Sequence, residues 1–383
     1  MSIRAGQLTQ VARLALRDEL GADQSALMNI IPKVELHVHI EGTLTPELRW
    51  KLAQRRGVKA RFGHANIQVN TLQDLKTAYD NVISSSQLRA GQPSEAFVTF
   101  FQAYYSGFEF LQTRQDFYDL ALDWFRRAAA MNVRYCESFF DPQGHTCRGV
   151  AWQDIMGGFR DAQRTAEAEF NIKSKWIMCF LRDQTPEDAM KHYKAALEYR
   201  DMIIGIGLDS NERDRPPCLF DEVFTLARRD GFKLTAHCDV GVKDTHMHIR
   251  QVATTLGGWG LDRMDHGLNV ADLAELTQLV AQRDMPMTIC PWAYLRRETY
   301  DSIAERIRIL VDAGIRVSIA SDSPAYTDQS WVTHNLLLTQ RMCNFSDEDM
   351  VKIVKNGVDA SWAEPAVKEA ILQEINSLLE AIS

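Results

Sequence analysis

Eight short runs rich in β-branched and other apolar residues recur along the chain, at residues 34–39, 133–140, 175–181, 203–209, 233–240, 263–267, 286–290 and 316–322. Stretches with helical spacing of apolar positions fill the gaps, among them 115–131, 185–200, 219–230, 270–283 and 302–313. Strands separated by helices must run parallel, and eight such units within 383 residues predict an α/β fold, a closed (β/α)8 barrel (TIM barrel), rather than an open sheet. No linker or low-complexity tract divides the chain, so residues 1–383 read as a single domain. Residues 1–30 read as an N-terminal helical extension, 61–110 as a helical insertion after the first strand, and 347–383 as a helical tail outside the barrel.

Such a fold leaves the choice of ligand open, and composition narrows it. A net charge of -8 with no lysine or arginine run argues against nucleic acid and favours a small, neutral or cationic ligand. The seven cysteines are scattered without Cys-x-x-Cys pairs, the usage of a reduced compartment, and the expected location is the cytoplasm. Residues 1–28 mix Arg4, Arg13, Arg17, Asp18 and Glu19 with leucine and alanine, which is an amphipathic helix and not a secretory signal. No apolar segment is long enough to cross a bilayer, so no membrane partner is expected, and the number of subunits is open.

In a parallel barrel the active site lies where the strands end, because the loops there vary without disturbing the packed interior. Polar residues gather at those ends: His37 and His39 on the first run, Glu137 on the second, Asp209 on the fourth, His237 and Asp239 on the fifth, Asp265 and His266 on the sixth, Asp322 on the eighth. Period-two alternation puts His37 and His39 on one face of their strand. Any one of these is ordinary at a strand edge, but their joint occurrence is not. Three imidazoles and a carboxylate, His37, His39, His237 and Asp322, make a reasonable ligand set for zinc or a similar divalent ion with room left for water. Such an ion lowers the pKa of its water toward neutrality, giving a hydroxide nucleophile. His266, on the neighbouring strand and not needed as a ligand, is then the base or electrostatic partner.

Taken together, Pro32-Lys33-Val34-Glu35-Leu36-His37-Val38-His39-Ile40-Glu41-Gly42-Thr43-Leu44, Glu137-Ser138-Phe139-Phe140-Asp141-Pro142-Gln143, Gly207-Leu208-Asp209-Ser210, Asp265-His266-Gly267 and Ser321-Asp322-Ser323-Pro324-Ala325-Tyr326 resemble the adenosine and adenine deaminase family of the amidohydrolase superfamily. The resemblance implies one metal, usually zinc, on His37, His39, His237 and Asp322. It implies His266 acting on the attacking water, and a purine edge lined by Gly207 to Ser210. Glu137, Asp209 and Ser210 join Gly207 as expected substrate contacts. Two positions depart from the pattern: Val240 stands where the family carries an acid glutamate, and Ser323 where it carries a second aspartate. Asp239 or Asp244 is therefore expected to deliver the proton, and Ser323 to change how the ring is read. Trp292, with Tyr294 and Tyr326, is expected to supply an aromatic wall for a larger leaving amine. The expected activity is hydrolytic deamination of an adenine-like base, with an N6-substituted adenine as the expected substrate. The alternatives are a non-purine amide- or amidine-like ring, or a metal-retaining relative without turnover.

Overall fold

The computed structural model describes residues 6–22, 26–63, 67, 69–83 and 98–382. Its sheet has eight parallel strands in sequential order: β1 (Lys33–His39), β2 (Val133–Phe140), β3 (Lys173–Leu181), β4 (Ile203–Asp209), β5 (Lys233–Cys238), β6 (Arg263–His266), β7 (Met287–Ile289) and β8 (Val317–Ile319). The barrel closes where a parallel bridge joins Val38 to Asp322. His39 N–H donates to the Asp322 carbonyl and Asp322 N–H to the His37 carbonyl, both at 2.9 Å. Closure and the proposed metal ligands thus share one stretch of backbone.

β5, β7 and β8 are shorter than the apolar runs that predicted them. Paired strand ends at Cys238, Ile289 and Ile319, and the residues beyond turn into the loops that carry the polar side chains. The connecting helices follow their local signals. Thr45 caps Pro46–Arg55 by accepting from Leu48 N–H, with proline in the first turn. The 17-residue helix Arg114–Ala130 opens on a Thr113/Asp116 capping box and buries Phe117, Leu120, Trp124 and Phe125 along one stripe.

The N-terminal extension contains helices Gln10–Ala22 and Leu27–Ile30, with residues 1–5 and 23–25 outside the described residues. Of the insertion expected over 61–110, residues 64–66, 68 and 84–97 lie outside the described residues; helices Leu72–Asp80 and Phe100–Phe108 are described. The tail is two helices and not one, Asp347–Ala360 and Pro365–Ile382, because Ser361 turns extended and Pro365 cannot continue a helix. The first of these seals the β1/β8 seam: a Cβ on Gly357 would lie 2.9 Å from Ser318 Oγ and 3.1 Å from Val34.

Charge fills the lower barrel. Arg263, fully buried, donates to Glu137 at 2.6 Å and lies 4.0 Å from the Trp362 ring centre. Glu137 also accepts from Trp362 N–H. With both oxygens engaged beneath the mouth, Glu137 is a structural counter-ion and not a substrate contact, correcting the expectation from sequence.

Candidate active site

β1 delivers His37 and His39 to the barrel mouth with 0% and 7% exposure. A count of protons sets the orientation of His37. Thr288 Oγ1 donates its one proton to Asp265 at 2.9 Å, so the 2.8 Å contact with His37 requires the imidazole Nδ1–H to donate. Nε2 of His37 is then the nitrogen with a free lone pair, and it is buried without a partner. Nearby, Nε2 of His39 and Nε2 of His237 lie 3.1 Å apart, and Asp322 Oδ1 is 3.6 Å from His39 Nε2 and 4.0 Å from His37 Nε2. Two nitrogens on one tetrahedral zinc are separated by about 3.3 Å. Burial first, and neighbouring imidazoles second, hold all three histidines below their ordinary pKa, His39 at about 3. Neutral imidazoles with convergent Nε2 atoms, that of His37 unpaired, fit a divalent metal.

Three residues at strand ends hold left-handed backbone without being glycine: Ser210 (φ 72°), His266 (φ 60°) and Asp322 (φ 64°). That conformation is costly for a side-chain-bearing residue and turns each side chain across the mouth. His266 rests beside the cluster, its ring centre 4.6 Å from that of His37 and 5.0 Å from that of His237, with Nδ1 3.0 Å from the Tyr294 hydroxyl. Gly42, in the loop after β1, lies against Ser323 so closely that a Cβ would come within 2.7 Å of its backbone.

A cavity of about 540 Å³ opens over the cluster. Of the residues singled out from sequence, His39, Asp209, Ser210, His237, Asp239, His266, Asp322 and Ser323 line it. Ser323 Oγ donates to Asp322 at 3.3 Å. Gly207 does not reach the cavity; it faces Cys179, whose Sγ would lie 2.5 Å from an added Cβ. Trp292 does not form the expected wall. Its indole N–H donates to Asp328 at 2.9 Å and its backbone N–H to Asn335, which turns the ring away into the packing behind the loop. Tyr326 likewise packs behind the mouth, against Tyr79 at 4.9 Å.

Neither expected proton donor stands free. Asp239 makes a two-pronged ion pair with Arg297. Burial raises its carboxyl, but the guanidinium outweighs this and holds it at about 2. An acid ionised that far below neutrality is a poor source of a proton. Asp244 sits in left-handed backbone at the head of helix Thr245–Thr254, its side chain half exposed and facing Lys243, off the cavity wall. Val240 does line the cavity, leaving that position without an ionisable group.

Other residues take up the polar work. Asp141 and Asp209 both line the cavity, each with Oδ1 buried and unpaired; Tyr104 donates to Asp141 at 2.8 Å. Burial pushes both carboxyls up; the Glu41 charge adds to this at Asp141, and the Asp141 charge adds to it at Asp209. Helix Phe100–Phe108 supplies the aromatic wall: Phe100 stacks on Tyr104 at 5.7 Å and Phe101 on Tyr105 at 6.0 Å, and all four line the cavity. The doublets Phe100-Phe101 and Tyr104-Tyr105, one helical turn apart, are the sequence signal for this wall.

A (β/α)8 barrel whose mouth gathers buried, neutral histidines and a carboxylate under a closed-in cavity is the framework of a metal-dependent hydrolase. The family model for adenosine deaminase matches residues 32–378. An uncharacterized deaminase of Schizosaccharomyces pombe is 38% identical over 352 residues, covering 92% of this chain and 96% of that one. The adenine deaminase of Rhodospirillum rubrum is 34% identical over 359 residues, covering 94% and 98%. Among solved structures, the adenine deaminase of Arthrobacter aurescens superposes with a TM-score of 0.80 at 30% identity, covering 91% of this chain and 99% of that one. A Burkholderia ambifaria amidohydrolase with bound zinc gives 0.77 at 26% identity, covering 99% and 96%. The chain belongs to the adenosine deaminase family and is a hydrolytic deaminase acting on C–N bonds.

Proposed function

We propose that the chain hydrolyses the exocyclic C–N bond of an adenine-like base, releasing ammonia or a small amine, with one divalent ion, zinc, held by His37, His39, His237 and Asp322. The observation that carries this is the unpaired, buried Nε2 of His37 facing the nitrogens of His39 and His237. When bound, the ion makes water nucleophilic at neutral pH. Bound zinc in the Burkholderia relative and adenine deaminase activity in the Rhodospirillum and Arthrobacter relatives support the same assignment.

Within the cavity, His266 faces the reacting carbon, and the unpaired oxygens of Asp141 and Asp209 receive ring N–H groups. The aromatic wall from Phe100 to Tyr105 covers one face of the ring, while a cavity of about 540 Å³ leaves space beyond a bare purine base for an N6 substituent. Asp239, locked to Arg297, donates no proton. A reduced compartment, the cytoplasm, suits seven cysteines that are all free. No helix among the described residues is long and apolar enough to cross a membrane.

Zinc-loaded protein is expected to convert adenine or an N6-alkyl adenine to hypoxanthine with one amine released per turnover, read from the purine absorbance band. Turnover confined to non-purine amidines, or no turnover on any amine-bearing ring despite full metal content, would overturn the substrate assignment.

A further inference from the structure

Tyr294 ends the short helix Pro291–Tyr294 and is fully buried. Its hydroxyl oxygen lies 3.0 Å from the backbone nitrogen of Cys290 and 3.0 Å from Nδ1 of His266. The Cys290 N–H can only donate, so it occupies one lone pair of the phenol oxygen. The phenol has a single proton, and among the described residues His266 Nδ1 is the one acceptor bonded to it. If Nδ1 carried a hydrogen instead, the hydroxyl would accept twice and its own proton would be buried without a partner, which is strongly disfavoured.

We infer that Tyr294 donates its proton to Nδ1 of His266 and so fixes the tautomer in which His266 carries hydrogen on Nε2 and presents an N–H, not a lone pair, to the cavity. Tyr294 is thus a positioning residue acting through His266. The inference rests on reading His266 as the group beside the reacting carbon, but not on which ring is bound.

The consequence is specific. The sequence leaves His266 open as base or electrostatic partner; a neutral imidazole with hydrogen on Nε2 cannot take a proton there. It donates a hydrogen bond that aims the oxygen adding to the ring carbon, keeping its own proton while the charge on that oxygen passes into the ring. An oriented donor of this kind contributes to kcat and not to ground-state binding.

Long-range proton–nitrogen correlation spectra of zinc-loaded protein carrying ¹⁵N-histidine read the tautomer without substrate. The expected spectrum of His266 has a protonated Nε2 and an unprotonated Nδ1. In Tyr294→Phe this bias is lost, kcat falls by about tenfold, and KM stays within about twofold, with metal content retained and Tm lowered because the buried Cys290 N–H loses its acceptor. A protonated Nδ1 in the unaltered protein, or a Tyr294→Phe enzyme with unchanged kcat, would overturn the inference. The unaltered protein decides the tautomer even if the variant fails to fold. A protein that turns over no purine can still show the expected spectrum, so the two assignments fail separately.

Discussion

Thr288 carries more of the site than its residue type suggests. Its hydroxyl accepts from His37 and donates to Asp265, fixing which nitrogen of His37 is free for the metal. Thr288→Val keeps the shape and removes both bonds, so metal affinity is expected to fall by roughly 10–100-fold, as for other outer-shell partners of ligating histidines. Competition with a chelator measures the loss, and excess zinc should restore turnover; unchanged affinity would mean that His37 is oriented by packing alone. Asp239 and Arg297 form a second unit at this scale. If they act as one ion pair and not as an acid with a spectator, Asp239→Asn and Arg297→Met are expected to lose similar activity, and the double variant little more. The coupling energy from that cycle is expected at about 1–3 kcal/mol. Fully additive losses would separate their roles. The convergence of the histidines and Asp322 was legible from the sequence because side chains of ligand type recur together at successive strand ends, although each alone is ordinary there. Thr288 was not, since a threonine in an apolar strand is unremarkable until its two partners, from β1 and β6, are in place.

At the level of elements, strand positions follow from apolar runs between helices, but where pairing stops depends on loops that the runs themselves do not describe. The N-terminal helix Gln10–Ala22 illustrates what periodicity leaves unsaid. It anchors to the loop after β8 through Arg13, which donates to Asp328 at 2.7 Å; the same carboxylate holds Trp292 at 2.9 Å and Arg296 at 3.0 Å. This three-way hold explains why Trp292 is drawn out of the cavity, a fact set by a residue 36 positions later. Arg13→Met is expected to cost roughly 2 kcal/mol in urea denaturation, less than the 3–5 kcal/mol of breaking an isolated buried pair, because Arg296 still faces Asp328. No change would mean that the helix is held by its apolar face and by Arg17, which donates to the Asp328 carbonyl at 2.6 Å. Burial raises the Asp328 carboxyl, but Arg296 and Arg13 outweigh it and hold the group well below the ordinary carboxylate range. A depressed folded-state pKa gives stability that is complete above the unfolded value of about 4 and is lost as pH falls toward the folded one. The stability gap between the unaltered protein and Asp328→Asn is therefore expected to be full at neutral pH and to narrow below about pH 4, followed by denaturation at stepped pH. A gap independent of pH would place the cost in packing.

Across the whole molecule, the proposed ligands come from β1, β5 and the loop that follows β8, and Val38 and Asp322 form the bridge that closes the barrel. A metal gripping these residues staples the seam, so its removal bears on stability as well as catalysis. With ion present at about 100 times its dissociation constant the linkage is about 2.7 kcal/mol, and stripping the metal is expected to lower Tm by about 3 °C, reversed by added zinc. An unmoved Tm would show that the seam holds without it. Most directly, a crystal of the protein purified with its native metal, measured at the absorption edge of that metal, tests the shared ligand set. The expected map has a single anomalous peak about 2.0–2.2 Å from Nε2 of His37, His39 and His237 and from an oxygen of Asp322; no peak there, or one seated on Asp141 and Asp209 instead, would contradict it.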